Sequence, residues 1–145
     1  MVSRRHIIII LLVAVSAVMF FGIDRASAKD IQHRLLIQVS DDNPKTMNLA
    51  LNNAMNIIKA VGQDNVEIEI VAYGPGLNLV LQKNEAIRDR VLSMQSYGVR
   101  FVACGNTMKN LKVSESELVK GVSIVEAGVL EIMEKQEKGW SYVRP

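Results

Sequence analysis

The chain has 145 residues, of which 49% are hydrophobic and 22% charged, with a formal net charge of +2 and a single cysteine. This length is enough for one compact domain and too short for two. Because one cysteine cannot form an intrachain disulfide, a disulfide-stabilised scaffold is excluded and stability must come from an ordinary hydrophobic core.

The N-terminus has the pattern of an export signal. Two arginines open it, an apolar run covers residues 7–21, and Ala28 ends an Ala-Ser-Ala cleavage pattern. We therefore predict a signal peptide at residues 1–28, a periplasmic location, and a mature α/β domain at residues 29–145 without stable membrane insertion. An uncleaved N-terminal membrane anchor is the alternative, although the apolar run is shorter than the ~20 residues of a spanning helix.

The mature domain is formally neutral, because residues 1–28 carry the surplus of basic side chains. No basic stripe remains to indicate a nucleic-acid partner. Its single histidine, His33, gives little basis for a Ser–His or Cys–His catalytic arrangement or for a zinc site. We expect no metal and no cofactor.

Predicted strands and helices alternate along the mature domain. Period-two apolar patterns and continuous apolar runs predict strands, whereas three- and four-residue spacing with Asn or Ser caps and closing glycines predicts helices. The strands are expected at 35–39, 66–73, 99–103, 122–125 and 140–143, and the helices at 44–61, 85–97, 114–120 and 127–138, with an irregular stretch after the third strand. The last helix is expected to bury Val129, Leu130, Ile132 and Met133.

This alternation predicts an α/β fold with a doubly wound, mostly parallel five-stranded sheet and helices on both faces, of the flavodoxin/Rossmann-like kind. Glu67 and Glu69 alternate with apolar residues in the second strand, which favours an edge position and the strand order 2-1-3-4-5. In that order the winding reverses between strands 1 and 3, where a crevice should open.

Polar and turn residues follow the strands that border the predicted crevice. Ser40, Asp41 and Asn43 come after strand 1, and Tyr73 and Gly74 come after strand 2. We expect these five residues to line the crevice, with Asn43 also capping the first helix.

Cys104 follows strand 3 directly and is the main candidate for chemistry. Gly105, Asn106 and Thr107 come next and are turn and helix-capping residues. If they begin a helix, its free N–H groups would stabilise a thiolate and lower the thiol pKa. The alternative is a cysteine that only packs, since free cysteine is among the most buried residue types.

Trp140 and Tyr142 lie two residues apart and share one face of the last predicted strand. They either cover a helix within the subunit or serve as contact residues in an oligomer.

Three stretches carry a family resemblance: V-R-F-V-A-C-G-N-T-M-K, G-V-S-I-V-E-A-G-V-L-E-I and Q-E-K-G-W-S-Y-V-R-P. Together and in this order they resemble the DsrE/DsrF-like superfamily, in particular its single-domain, often exported members. The resemblance implies a five-stranded doubly wound sheet and homo-oligomers that are commonly trimers or hexamers. In the sulfur-relay members a cysteine carries sulfur as a persulfide, and the resemblance implies that Cys104 would be that cysteine.

These observations predict an exported sulfur-handling protein with Cys104 as sulfur carrier, supported by Gly105, Asn106 and Thr107. It would be a carrier rather than a turnover enzyme, and its partners would be further copies of itself together with sulfur donor and acceptor proteins or small persulfides. The alternative is an oligomeric module that binds a small anion or a nucleotide-like ligand without covalent chemistry.

Overall fold

The computed structural model describes residues 31–145. The predicted signal peptide, including Ala28, lies outside these residues. Within them, strands and helices alternate as the sequence predicts. Their bounds are β1 His33–Val39, α1 Pro44–Val61, β2 Val66–Ala72, α2 Glu85–Ser96, β3 Arg100–Cys104, α3 Gly105–Leu111, β4 Ser123–Val125, α4 Gly128–Glu137 and β5 Ser141–Val143, with short 3-10 segments at Gln63–Asn65, Gly74–Val80 and Glu115–Glu117.

Helix α1 shows how local sequence sets an element. Asn43 Oδ1 accepts a hydrogen bond of 2.9 Å from the Lys45 N–H, and Pro44 occupies the first turn, where no N–H is needed. The apolar positions of one face are buried, and Gly62 ends the helix at a φ of 85°. The predicted bounds and cap of this helix are confirmed.

All strand pairs in the described sheet are parallel, and the order is β4-β3-β2-β1-β5. The predicted fold class, a five-stranded parallel α/β sheet, is therefore confirmed. The predicted order 2-1-3-4-5 is wrong, because β2 lies between β1 and β3 instead of at the edge. The winding reverses where β5 joins the far side of β1, so the switch point lies between β1 and β5 instead of between strands 1 and 3.

The glutamates of β2 explain the error. Glu67 lies 2.9 Å from Arg100 and 3.7 Å from Arg34, which come from the strands on either side. Glu69 lies 3.0 Å from Arg100 and 2.8 Å from Lys135 of α4. Because cations from three other elements pair with them, two acidic residues are accommodated in a central strand.

The two faces of the sheet are covered unequally. The larger core joins the sheet to α1, α2 and α3, whereas the smaller core consists of Leu36, Val71, Val102, Ile132 and Trp140 beneath α4. Of the apolar residues predicted to be buried on α4, only Ile132 is; Val129, Leu130 and Met133 are exposed. The prediction failed because α4 is the one helix on this face in residues 31–145, so its outer side has no described neighbour.

The stretch after β3 also differs from the prediction. It is helical from Gly105 to Leu111 instead of irregular. None of the helices in the described part of the chain combines the length and hydropathy that a bilayer crossing demands.

Candidate functional site

Cys104 is the last residue of β3 and the N-cap of α3, and it is 6% exposed. Strand and helix meet here without an intervening loop, so the first N–H groups of α3 are still free of intrahelical partners. The backbone N–H groups of Asn106 and Thr107 lower the pKa of the Cys104 thiol. The residues after Cys104 therefore begin a helix, which was the condition for a lowered thiol pKa.

The Thr107 hydroxyl has two contacts. Its oxygen accepts a hydrogen bond of 2.9 Å from the Gly74 N–H, which follows β2. The side chain also lowers the pKa of the Cys104 thiol. Since the Gly74 N–H fills an acceptor position, the hydroxyl proton is the group that Thr107 offers to the sulfur.

Gly128 is the residue that sequence analysis missed. Its N–H, at the start of α4, is among the groups that lower the pKa of the Cys104 thiol. A Cβ built on Gly128 would lie 3.2 Å from the Cys104 Cβ and 3.3 Å from the Tyr73 Cβ, so a larger residue here would push these neighbours away by a few tenths of an ångström. The sequence signal that could have identified Gly128 is a glycine at the start of the last predicted helix, within the stretch G-V-S-I-V-E-A-G-V-L-E-I that carries the family resemblance.

A second close approach joins the loop after β4 to the cysteine. The Asn106 N–H donates to the Glu126 carbonyl oxygen at 3.0 Å. A Cβ on Gly105 would lie 3.0 Å from the Val125 carbonyl oxygen. The segments after β3 and β4 therefore pack directly against each other around Cys104.

Two opposing effects set the pKa of the Cys104 thiol. Burial raises the pKa, because desolvation disfavours the thiolate. Hydrogen bonds from the Thr107 hydroxyl and from the N–H groups of Gly128, Thr107 and Asn106 lower it and together outweigh burial, so the pKa lies below its ordinary value. At a pH below that ordinary value, more of Cys104 is thiolate than in a free cysteine.

The structure brings only part of the predicted crevice to this site. Tyr73 and Gly74 adjoin Cys104 through Gly128 and Thr107, and the Ser40 carbonyl oxygen would lie 3.6 Å from a Cβ on Gly74. Asp41 and Asn43 instead serve the start of α1, where the Asn43 N–H donates to Asp41 Oδ1 at 3.0 Å. Because β2 separates β1 from β3, the segment that follows β1 and the segment that follows β3 lie roughly 10 Å apart.

Trp140 and Tyr142 differ in their surroundings. Trp140 is 8% exposed and packs beneath α4, so it covers a helix within the subunit. Tyr142 is 39% exposed, and its hydroxyl donates to Gln38 Oε1. Of the two predicted contact residues, Tyr142 is the one with surface available to a partner.

A cavity of about 370 Å³ adjoins Thr107 and is lined by Gly74, Pro75, Thr107, Asn110 and Leu111. Thr107 is thus shared between the cavity and the cysteine. In residues 31–145 no group of three or more His, Cys, Asp or Glu side chains could hold a metal ion.

The model of the DsrE/DsrF-like family matches residues 33–145. The chain belongs to the DsrE/DsrF-like family. Among solved structures it is similar to MTH1491 of Methanobacterium thermoautotrophicum, a protein of unknown function, with 32% identity and a TM-score of 0.74 over 78% of this chain and 99% of that chain. Among curated proteins no sequence matches.

Two other solved structures are similar in fold alone. BT1422 of Bacteroides thetaiotaomicron, also of unknown function, is 23% identical with a TM-score of 0.63, over 84% of this chain and 100% of that chain. The ychN protein of E. coli is 11% identical with a TM-score of 0.63, over 79% of this chain and 99% of that chain.

Proposed function

We propose that this member of the DsrE/DsrF-like family is a sulfur carrier in which Cys104 holds sulfur as a persulfide. The observation that carries the proposal is the convergence of hydrogen-bond donors from the starts of two helices on the one cysteine of the chain. Those donors are the Thr107 hydroxyl and the N–H groups of Asn106, Thr107 and Gly128. They favour a negatively charged sulfur, which is the nucleophile in sulfur transfer.

The loading step conserves atoms and electrons. The Cys104 thiolate attacks the outer sulfur of a donor persulfide R–S–SH, forming the Cys104 S–S bond as the donor S–S bond breaks and R–S⁻ leaves. The product Cys104–S–SH releases its proton to water. An acceptor thiolate then attacks the outer sulfur and takes it, which regenerates the Cys104 thiolate.

Mass measurement on the intact mature protein tests the proposal. After incubation with polysulfide we expect a gain of one sulfur atom per chain, which prior alkylation of Cys104 prevents. Cys104→Ser should abolish the gain while leaving the fold intact. Loading that survives this substitution would contradict the proposal.

A matched control asks whether any thiol would serve. Ser93 is exposed on α2, and Ser93→Cys in the Cys104→Ser background supplies a thiol outside the site. Well below the ordinary thiol pKa, we expect this relocated cysteine to load more slowly than Cys104. Equal rates would remove any role for the donors around Cys104.

A second candidate function rests on the burial of Cys104. A thiol that is 6% exposed, beside a cavity of about 370 Å³, also fits an oligomeric module that binds a small anion or nucleotide-like ligand while Cys104 only packs. Alkylation separates the two. A carrier cysteine should react in the folded protein, whereas a packed one should react only after unfolding.

Export and self-assembly are part of the proposal. The pattern at residues 1–28 supports a periplasmic protein that begins at Lys29 after cleavage. N-terminal sequencing of protein expressed from the full chain tests this, and an intact Met1 in the membrane fraction would indicate the anchor instead. The family resemblance supports a homo-trimer or hexamer that exchanges sulfur with donor and acceptor proteins or small persulfides.

A further inference from the structure

Helix α4 contacts the sheet through residues spaced four and three apart, which lie on one side of a helix. Gly128 meets Cys104 at the first turn, Ile132 enters the smaller core in the middle, and Lys135 reaches Glu69 of β2 in the last turn. The N–H that Cys104 receives from Gly128 therefore depends on how α4 is seated along its whole length.

The Lys135 end of this contact is a buried ion pair. Lys135 Nζ lies 2.8 Å from Glu69 Oε2, and the two side chains are 14% and 3% exposed. Arg100 Nη2 lies 3.0 Å from the same oxygen, and Lys135 Nζ is 4.4 Å from the centre of the Trp140 ring. Glu131 of α4 is the further acidic group that acts on Glu69.

Apolar contacts alone hold α4 weakly. Ile132 is its one large side chain that is fully buried, whereas Val129, Leu130 and Met133 point away from the sheet with exposures of 42–61%. A single apolar side chain fixes neither the rotation of a helix nor its shift along its axis. A buried ion pair at a second point can fix both, and setting register is the best-attested role of such pairs.

We propose that the Glu69–Lys135 pair is a positioning device for the cysteine site: it seats α4 on the sheet so that the Gly128 N–H stays directed at the Cys104 sulfur. The use of this device in sulfur transfer rests on the proposed function. The positioning itself rests on the contacts of α4 and is testable without sulfur.

The Glu69 carboxylate gains little stability from its site. Burial raises the pKa of Glu69, and its pairing with Lys135 and Arg100 only partly offsets this. Its Oε1 atom is buried without a hydrogen-bond partner. A neutral side chain of the same shape is therefore tolerated at this position, and Glu69→Gln should fold.

The test is the pKa of the Cys104 thiol, obtained from the pH dependence of its alkylation rate. In Glu69→Gln we expect this pKa to rise by about half a unit or more, which reduces the thiolate about threefold at a pH below the pKa. The direction of the shift is informative, because removing the negative charge of Glu69 would by itself favour the Cys104 thiolate and lower the thiol pKa. A rise indicates the loss of a donor.

Two matched variants complete the experiment. Glu134→Gln makes the same glutamate-to-glutamine change on α4 itself, where Glu134 pairs with Lys138 at 3.7 Å in an exposed position, and it should leave the thiol pKa unchanged. Lys135→Arg keeps a cation opposite Glu69 and should retain a thiol pKa close to that of the unmodified protein. A simple loss of stability would not produce this pattern.

The proposal is overturned if folded Glu69→Gln keeps the original thiol pKa, or if Glu134→Gln shifts it equally. Should Glu69→Gln fail to fold, the double variant Glu69→Gln with Lys135→Gln leaves no unpaired charge between them and is read in the same way. Persulfide loading of the unmodified protein is measured separately. A protein that does not load but shows the pKa shift would refute the carrier and keep the positioning device.

Discussion

At the scale of single residues, Thr107 joins the loop after β2 to the end of β3. It accepts the Gly74 N–H after β2 and contacts Cys104 at the end of β3. Its hydroxyl therefore fixes a loop and supports a thiolate at once. The methyl group of threonine contributes to neither contact, which makes serine the appropriate conservative replacement.

Replacing Thr107 by valine removes both contacts with little change in shape. We expect the pKa of the Cys104 thiol to rise towards its ordinary value, because a donor to the thiolate is lost. We also expect a loss of about 1–3 kcal/mol in the free energy of unfolding, because the Gly74 N–H loses its acceptor. Alkylation rates across pH and urea unfolding measure the two effects. Thr107→Ser should restore both, and a serine variant that behaves like valine would contradict this account.

At the scale of elements, the segments set by local chemistry are the ones that the sequence predicts well. The start of α1 needs only Asn43 and Pro44, and the end of β3 at Cys104 follows from an apolar run that meets a glycine. The position of β2 could not be predicted in this way. Its glutamates pair with cations from β1, β3 and α4, and such partners are far away in the sequence.

The same limit applies to the candidate site. Cys104 and its following residues were identified from a local pattern, but Gly128 reaches the sulfur only because α4 crosses back over the sheet. The predicted crevice failed for a related reason. It depended on strand order, and strand order depends on contacts between distant segments.

Glu69 and Glu117 should respond to pH in opposite directions. The folded pKa of Glu69 is raised above its ordinary 4.5, so its contribution to stability is fully present below pH 4.5 and is lost as the pH rises through the folded pKa. We therefore expect Glu69→Gln to gain stability relative to the unmodified protein as the pH rises from 4 towards neutrality. Urea unfolding over this range measures the difference.

Glu117 provides the control of opposite sign. It accepts hydrogen bonds from the Ser114 N–H and hydroxyl at 2.8 and 3.0 Å, which lower its pKa. Its contribution is present above pH 4.5 and is lost as the pH falls through the lowered pKa. Glu117→Gln should thus be the less stable form at neutral pH and match the unmodified protein in acid. If the free energy of unfolding changed with pH in the same way in both variants, these two carboxyl groups would not control the pH dependence of stability.

At the scale of the whole domain, residues 31–145, the sheet is covered by three helices on one face and by one helix on the other. The edge strands β4 and β5 are each three residues long. Short edge strands limit uncontrolled pairing between sheets. Assembly into the proposed trimer or hexamer would therefore rely on side chains, and Tyr142 is the predicted contact residue that remains exposed.

Sedimentation equilibrium of the mature protein should give the mass of a trimer or hexamer. Tyr142→Ala should lower that mass, because aromatic residues dominate the centres of interfaces. Tyr97→Ala is the matched control, since Tyr97 is similarly exposed, at 44% against 39%, and lies at the end of α2. A monomeric native protein would contradict the assembly, and an unchanged mass in Tyr142→Ala would remove Tyr142 from the interface.

The depth of Cys104 limits which molecules can react with it. A disulfide between two proteins requires their sulfur atoms to approach to about 2.05 Å, with both backbones close behind. Cys104 is 6% exposed and Gly128 packs against it, so another protein approaches the cysteine against more steric resistance than a small molecule does. Small sulfur species face no such barrier. We therefore expect sulfur to reach Cys104 faster from polysulfide or small persulfides than from a donor protein.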